Sequence, residues 1–187
     1  MKKLLTLAAL MFVTVAASAQ ITWSVKGGIG LATCTADDGI ELENKLVGRL
    51  GVGVEKPFAA NWSLMPSLEL AAKGCKFEGA GDISVYYLQL PVLAAYRFNL
   101  NDSWNLTVKA GPYFAFGMFG SLSDEYESID LFDVAERFDY GLDLGVDFEY
   151  HRYVFGLEYE YGLANISKGD GGDVKNAAFF VTAGYKF

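Results

Sequence analysis

Five carboxylates stand at intervals that could support chemistry: Asp139, Asp143 and Asp147 at every fourth position, then Glu158 and Glu160 two apart. Paired carboxylates can serve as general acid and base, and a wall of them can hold a cation. Their spacing matches no metal-binding loop, so a cation site is the rival reading and not the leading one. The one histidine of the chain, His151, is the natural candidate for a base beside a nucleophile. It sits between two apolar runs in a short polar break, where a solvated turn residue is the plainer reading. A site built from Asp143 and Glu160 alone has no further support in the sequence. No catalytic residue, metal site or cofactor site is assigned. The two cysteines, Cys34 and Cys75, are a disulfide pair or two free thiols, because sequence does not supply their geometry.

The elements that carry these residues decide what they do. Three of these carboxylates lie in FDYGLDLGVDFEY (138–150), where Phe138, Tyr140, Leu142, Leu144, Val146, Phe148 and Tyr150 alternate with Asp139, Gly141, Asp143, Gly145, Asp147 and Glu149. That is a period of two, the signature of a strand with unlike faces. The pattern recurs eight times, predicting strands over 21–31, 46–56, 62–76, 83–98, 104–119, 138–150, 153–164 and 177–187. If His151-Arg152 is a two-residue turn, Asp143 faces Glu160 and Gly145 faces Glu158. Like charges directly opposite are destabilising, so basic residues must reach them. The expected interior network is Arg49, Lys73, Arg97 and Lys109 against Asp139, Asp143, Asp147, Glu158 and Glu160, with Arg97 and Lys109 placed nearest the acidic wall.

Connections alternate in length. Short ones fall at 57–61, 99–103 and 151–152; longer polar ones fall at 32–45, 120–137 and 165–176, with a shorter member at 77–82. Short turns on one rim and long loops on the other are the layout of a bacterial outer-membrane barrel. The reading is therefore all-β: an eight-stranded antiparallel up-and-down transmembrane β-barrel. Trp23, Trp62 and Trp104 each open a strand at the short-turn rim, joined there by Tyr150, Tyr153, Tyr185 and Phe187; such aromatics gather at membrane interfaces. A soluble lipocalin-like barrel, with its apolar face inward, has the same alternation. The aromatic rims and the glycines of the polar face favour the membrane form. Pro91 predicts a bulge or a locally broken pairing, and the acidic stretch 121–137 a short helix.

Residues 1–19 read as a cleaved signal peptide: Lys2 and Lys3, an apolar run from Leu4 to Val15, then Ala17-Ser18-Ala19. Residues 20–187 form one barrel domain. The net charge of −8 becomes more negative once both lysines leave, which excludes nucleic acid as a partner. Outer-membrane lipid is the expected surrounding. Function is read as non-enzymatic, structural or surface-interacting through the outer loops, with a periplasmic or surface protein as an unidentified partner. The alternatives are a narrow transport- or secretion-associated barrel and the soluble lipid-binding one.

YYLQLPVLAAYRF (86–98) resembles a hallmark of PorT-like outer-membrane β-barrel domains, through Tyr87, Leu88, Gln89, Leu90, Pro91, Leu93, Tyr96 and Phe98. GYKF at 184–187 is similar to the terminal strands read by the barrel-assembly machinery. The resemblance implies an outer-membrane barrel and no catalytic residue. Gln89 stands where the family commonly has glutamate.

Overall fold

The structure is a computed structural model that describes residues 21–36, 42–77, 81–123, 128–130, 136–165 and 174–187. Eight strands build the wall: β1 (Thr22–Ala36), β2 (Lys45–Pro57), β3 (Trp62–Lys73), β4 (Gly81–Asn99), β5 (Trp104–Ser123), β6 (Phe138–Tyr150), β7 (Tyr153–Gly162) and β8 (Val174–Lys186). Each pairs antiparallel with its sequence neighbours. The first and last strands pair with each other from Ser24↔Lys186 to Ala36↔Val174, so the sheet closes into a barrel. Closure leaves no edge strand in the wall, the condition for a β-structure in hydrocarbon.

The burial pattern is inside-out. On β6 every odd residue is buried and nearly every even one is exposed: Asp143 is 1% exposed and Leu144 52%. Leu50, Phe155 and Val181 are likewise exposed, while Asp139, Asp147, Glu158 and Glu160 are buried. A water-soluble barrel would show the reverse. The apolar face is therefore the membrane face.

Register follows from the turn. His151, at φ 54°, and Arg152 form the tight connection, pairing Tyr150 with Tyr153 and Asp143 with Glu160. The other short connections, after Pro57 and Asn99, lie on the same rim. In barrels of this layout that rim and both termini face the periplasm.

The strands run further than expected toward the long-loop rim. β1 continues to Ala36 and β5 to Ser123, because neighbours there still supply ladder partners. Strand three stops at Lys73, and Gly74, at φ 147°, turns the chain out of the extended path. Short strands at Leu42–Glu43 and Ser128–Asp130 occupy parts of the expected loops, and Lys76–Phe77 straddles the expected end of the third strand. Within 121–137, Ser121–Ser123 pair with Ser128–Asp130, so these residues form a ladder and not a helix; 124–127 and 131–135 lie outside the described residues, as does the expected signal segment. Pro91 keeps its pairing to β5 but loses it to β3, whereas the register shift of β4 falls at Tyr86/Tyr87.

Candidate functional site

Eight strands leave a lumen about one side chain wide on each flank, and every inward position must either be small or find a partner. Gly30 shows the crowding: a Cβ there would strike the carbonyl oxygen of Phe179 and the ring of Phe180. The charged residues meet across the lumen in three layers.

Nearest the short-turn rim, Glu55 accepts from Arg97 at 2.6 Å and from Lys186 at 2.7 Å, while Glu149 lies 3.3 Å from Arg97 and 2.7 Å from Lys186. In the middle, the Lys109 ammonium reaches Asp147 at 2.9 Å and Glu158 at 2.5 Å, and Lys26 reaches the same two carboxylates at 3.1 and 2.7 Å. Toward the loop rim, Arg49 extends from β2 to Glu158 and, at 2.8 Å, to Glu160 on β7; its guanidinium also lies 4.4 Å from the Phe180 ring centroid. Lys73 reaches Glu160 at 2.7 Å and Asp139 at 3.6 Å, with its ammonium 4.0 Å from the Tyr113 ring centroid. Neutral donors complete this layer: Gln89 Nε2 donates to Glu160 at 2.6 Å and Asn176 Nδ2 to Asp139 at 3.0 Å.

The structure thus brings Arg49, Lys73 and Lys109 onto Asp139, Asp147, Glu158 and Glu160. Arg97 departs from the expected set. It meets Glu55 and Glu149, because the lower end of β4 is level with those two and not with the aspartates above them. Asp143 faces Glu160, and its Oδ1 makes no hydrogen bond. Lys26, Glu55, Glu69, Gln89, Glu149 and Lys186 belong to the interior although the expected network omitted them. The same alternation marks each as inward-facing; what it does not reveal is height, which depends on the stagger of the strands.

Cys34 and Cys75 are joined in a disulfide that ties β1 to the chain beyond β3 at the loop rim. On the membrane face of the other rim, Trp23, Trp62, Trp104 and Tyr153 are exposed. The rings of Trp104 and Tyr150 meet tilted at 4.7 Å between centroids, and Tyr153 with Tyr185 at 5.5 Å and Tyr185 with Phe187 at 5.3 Å meet edge to face. His151 is exposed in its turn against Tyr150 at 4.5 Å. Asp143 lies about 25 Å up the strand from it at 3.3 Å or so per residue, too far for the two to share a proton.

A closed, inside-out barrel with a charged, filled lumen is the class of small outer-membrane β-barrel proteins. Residues 16–168 match the family model for the outer membrane protein beta-barrel domain, and the chain belongs to that family; it is an outer-membrane protein whose wall is in contact with membrane lipid. No curated protein sequence matches the chain. Among solved structures, the chain is similar to Ail, the attachment invasion locus protein of Yersinia pestis, at 20% identity and TM-score 0.51, covering 89% of this chain and 98% of that one. It is similar to OprG from Pseudomonas aeruginosa at 15% identity and TM-score 0.52, covering 89% and 95%. The outer membrane enzyme PagL gives 12% identity and TM-score 0.56, covering 87% and 98%. At these identities the likeness is one of fold.

Proposed function

We propose that the protein is a non-enzymatic integral barrel, of the PorT-like kind, that serves the envelope structurally and offers its outer loops to a partner at the surface. One observation carries this reading: Arg49 crosses the lumen from β2 to Glu158 and Glu160 on β7, above a second layer in which Lys26 and Lys109 share Asp147 and Glu158. An axial path for solute would have to break both layers. The reading includes export by the 1–19 signal peptide and insertion by the barrel-assembly machinery through the Tyr185–Phe187 end.

Purified protein in planar bilayers tests it. Closed traces, from protein whose folded form migrates apart from its heat-denatured form on gels, are expected. Regular single-channel steps would overturn the plugged reading. Hydrolysis of outer-membrane lipid by the same sample would overturn the non-enzymatic one, and PagL shows that this fold can carry an enzyme.

A further inference from the structure

Three prolines stand in three successive strands: Pro66 on β3, Pro91 on β4 and Pro112 on β5. Each keeps its pairing on the following strand and loses it on the preceding one. Between β2 and β3 the ladder breaks from Gly53↔Ser67 to Lys56↔Leu64, opposite Pro66. Between β3 and β4 it breaks from Pro66↔Val92 to Glu69↔Gln89, opposite Pro91. Between β4 and β5 it breaks from Pro91↔Tyr113 to Ala94↔Ala110, opposite Pro112. The breaks adjoin one another, so they form one continuous seam across three of the eight strand junctions, starting at Val54, in register with Trp23 of the short-turn rim, and rising to mid-wall at Pro112. The ladders of the other five junctions, β5 through β8 to β1 and β2, run without a gap among the described residues.

A proline has no N–H to give. Each one therefore leaves a carbonyl of the preceding strand without its ladder donor, and within the hydrocarbon no water replaces it. At the seam, Val54, on the membrane side of β2 by alternation, is covered and only 3% exposed. Directly behind the seam lies a cavity of about 30 Å³, lined by Val54 and Pro66 on the wall side and by Lys26, Glu69, Lys109 and Glu158 on the lumen side. Glu69 Oε2 makes no hydrogen bond, with Arg49 Nη1 3.6 Å away.

We propose that this seam is a lateral portal through which the cavity takes the hydroxyl end of a single-chain hydrocarbon from the bilayer. Size and charge select the group. The space holds one or two water-sized groups, which excludes a phosphate. Two ammonium groups balance two carboxylates around it, so no net field favours an ionised head. A hydroxyl both donates and accepts; it can give its proton to Glu69 Oε2 or to a backbone carbonyl left without a donor, and accept from Lys26. The hydrocarbon tail stays among the apolar side chains outside. The axial conductance assay is blind to this route, so the two readings fail separately.

The test uses the full chain in lipid nanodiscs with two photoreactive probes, a diazirine-bearing decanol and the matching decane, and maps adducts by mass spectrometry. Decanol is expected to label β2 and β3 around Val54 to Glu69 at least tenfold over β6 to β8, and decane to label both halves within twofold. Pro66→Val with Pro91→Val, which restores two donors, is expected to remove the bias. Identical patterns for the two probes, or a bias that survives in the folded double variant, would overturn the portal. Should the variant not fold, hydrogen exchange of the unaltered protein decides. Amides of Val54, Ser67 and Leu93 are expected to exchange at least tenfold faster than that of Leu157, and equal protection would overturn it.

Discussion

Arg49→Met removes one of two cations from a layer that holds four carboxylates, Glu69, Asp139, Asp143 and Glu160. Methionine keeps much of the aliphatic stem and gives up the guanidinium that lies over Phe180, so the loss is chiefly electrostatic. Orphaning one partner of a buried pair costs about 3–5 kcal/mol. A second route gives a ceiling of similar size. A carboxylate left short of a cation in this layer can be neutralised by a proton, and protonating a glutamate of reference pKa ~4.3 at pH 7 costs about 3.7 kcal/mol. We therefore expect a loss of about 4 kcal/mol at pH 7. With an assumed urea dependence of about 2 kcal/mol per molar, the unfolding midpoint in detergent falls by roughly 2 M. The proton route also fixes the pH dependence. At pH 5 the same protonation costs only about 1 kcal/mol, so most of the difference between variant and parent vanishes as pH falls. Arg97→Met is the control: its side chain is 31% exposed at the rim, and the expected loss is about 1 kcal/mol. A midpoint shift under ~0.5 M for Arg49→Met at pH 7, or one equal at both pH values, would refute the argument that the lumenal pairs are desolvated.

Adjacent glycines on β1 should respond in opposite ways. A Cβ at Gly28 would meet Val181 O at 2.7 Å and Thr182 Cγ2 at 2.7 Å, one at Gly27 nothing nearer than Leu50 Cδ1 at 3.5 Å and Arg49 O at 3.7 Å. Gly28→Ala should lose about 1–3 kcal/mol, and Gly27→Ala should be neutral or gain up to ~1 kcal/mol, both read from urea midpoints. Leu144→Arg puts a cation on the membrane face at mid-wall, and folding into vesicles should weaken by about 2–4 kcal/mol; a change under ~0.5 kcal/mol would contradict that orientation. The disulfide closes a separation of 41 residues, worth about 4 kcal/mol by chain entropy. Replacing Cys34 and Cys75 together by serine should lower the unfolding midpoint accordingly.

Strand number, facing and the β6–β7 register were legible because each rests on local information. Alternation gives facing, and a two-residue turn at His151-Arg152 leaves one register, pairing Asp143 with Glu160. Height was not legible. It accumulates from every register around the barrel, including those across 37–41, 78–80, 124–127 and 166–173, where loop length sets no pairing. That is why Arg97 was assigned to the aspartates but meets Glu55 and Glu149. Lys26 and Lys186 were equally readable as inward residues, yet their carboxylate partners lie on β2, β6 and β7 and only the stagger identifies them. The proline seam lies between these cases. Each proline is visible in the sequence, but that the three breaks adjoin follows only from three registers taken together.

The seam and the network have a mechanical relation. Hydrogen bonds hold the strands edge to edge, and where Pro66, Pro91 and Pro112 each remove one, the side chains that neighbouring strands share carry more of the hold. Arg49 of β2 and Lys73 of β3 both end on Glu160 of β7, and Gln89 of β4 donates to that same carboxylate. Three of the four strands that border the seam are thus tied to one point on the uninterrupted part of the wall. Glu160 is the hub of that tether, so Glu160→Gln should loosen the seam as well as the lumen. It keeps the side-chain shape and a hydrogen-bonding oxygen but gives up the charge that holds both cations. Faster exchange at Val54, Ser67 and Leu93, with protection on β7 and β8 unchanged, is the expected signature. A uniform loss of protection around the barrel would mean that the charge stabilises the whole lumen and tethers nothing in particular.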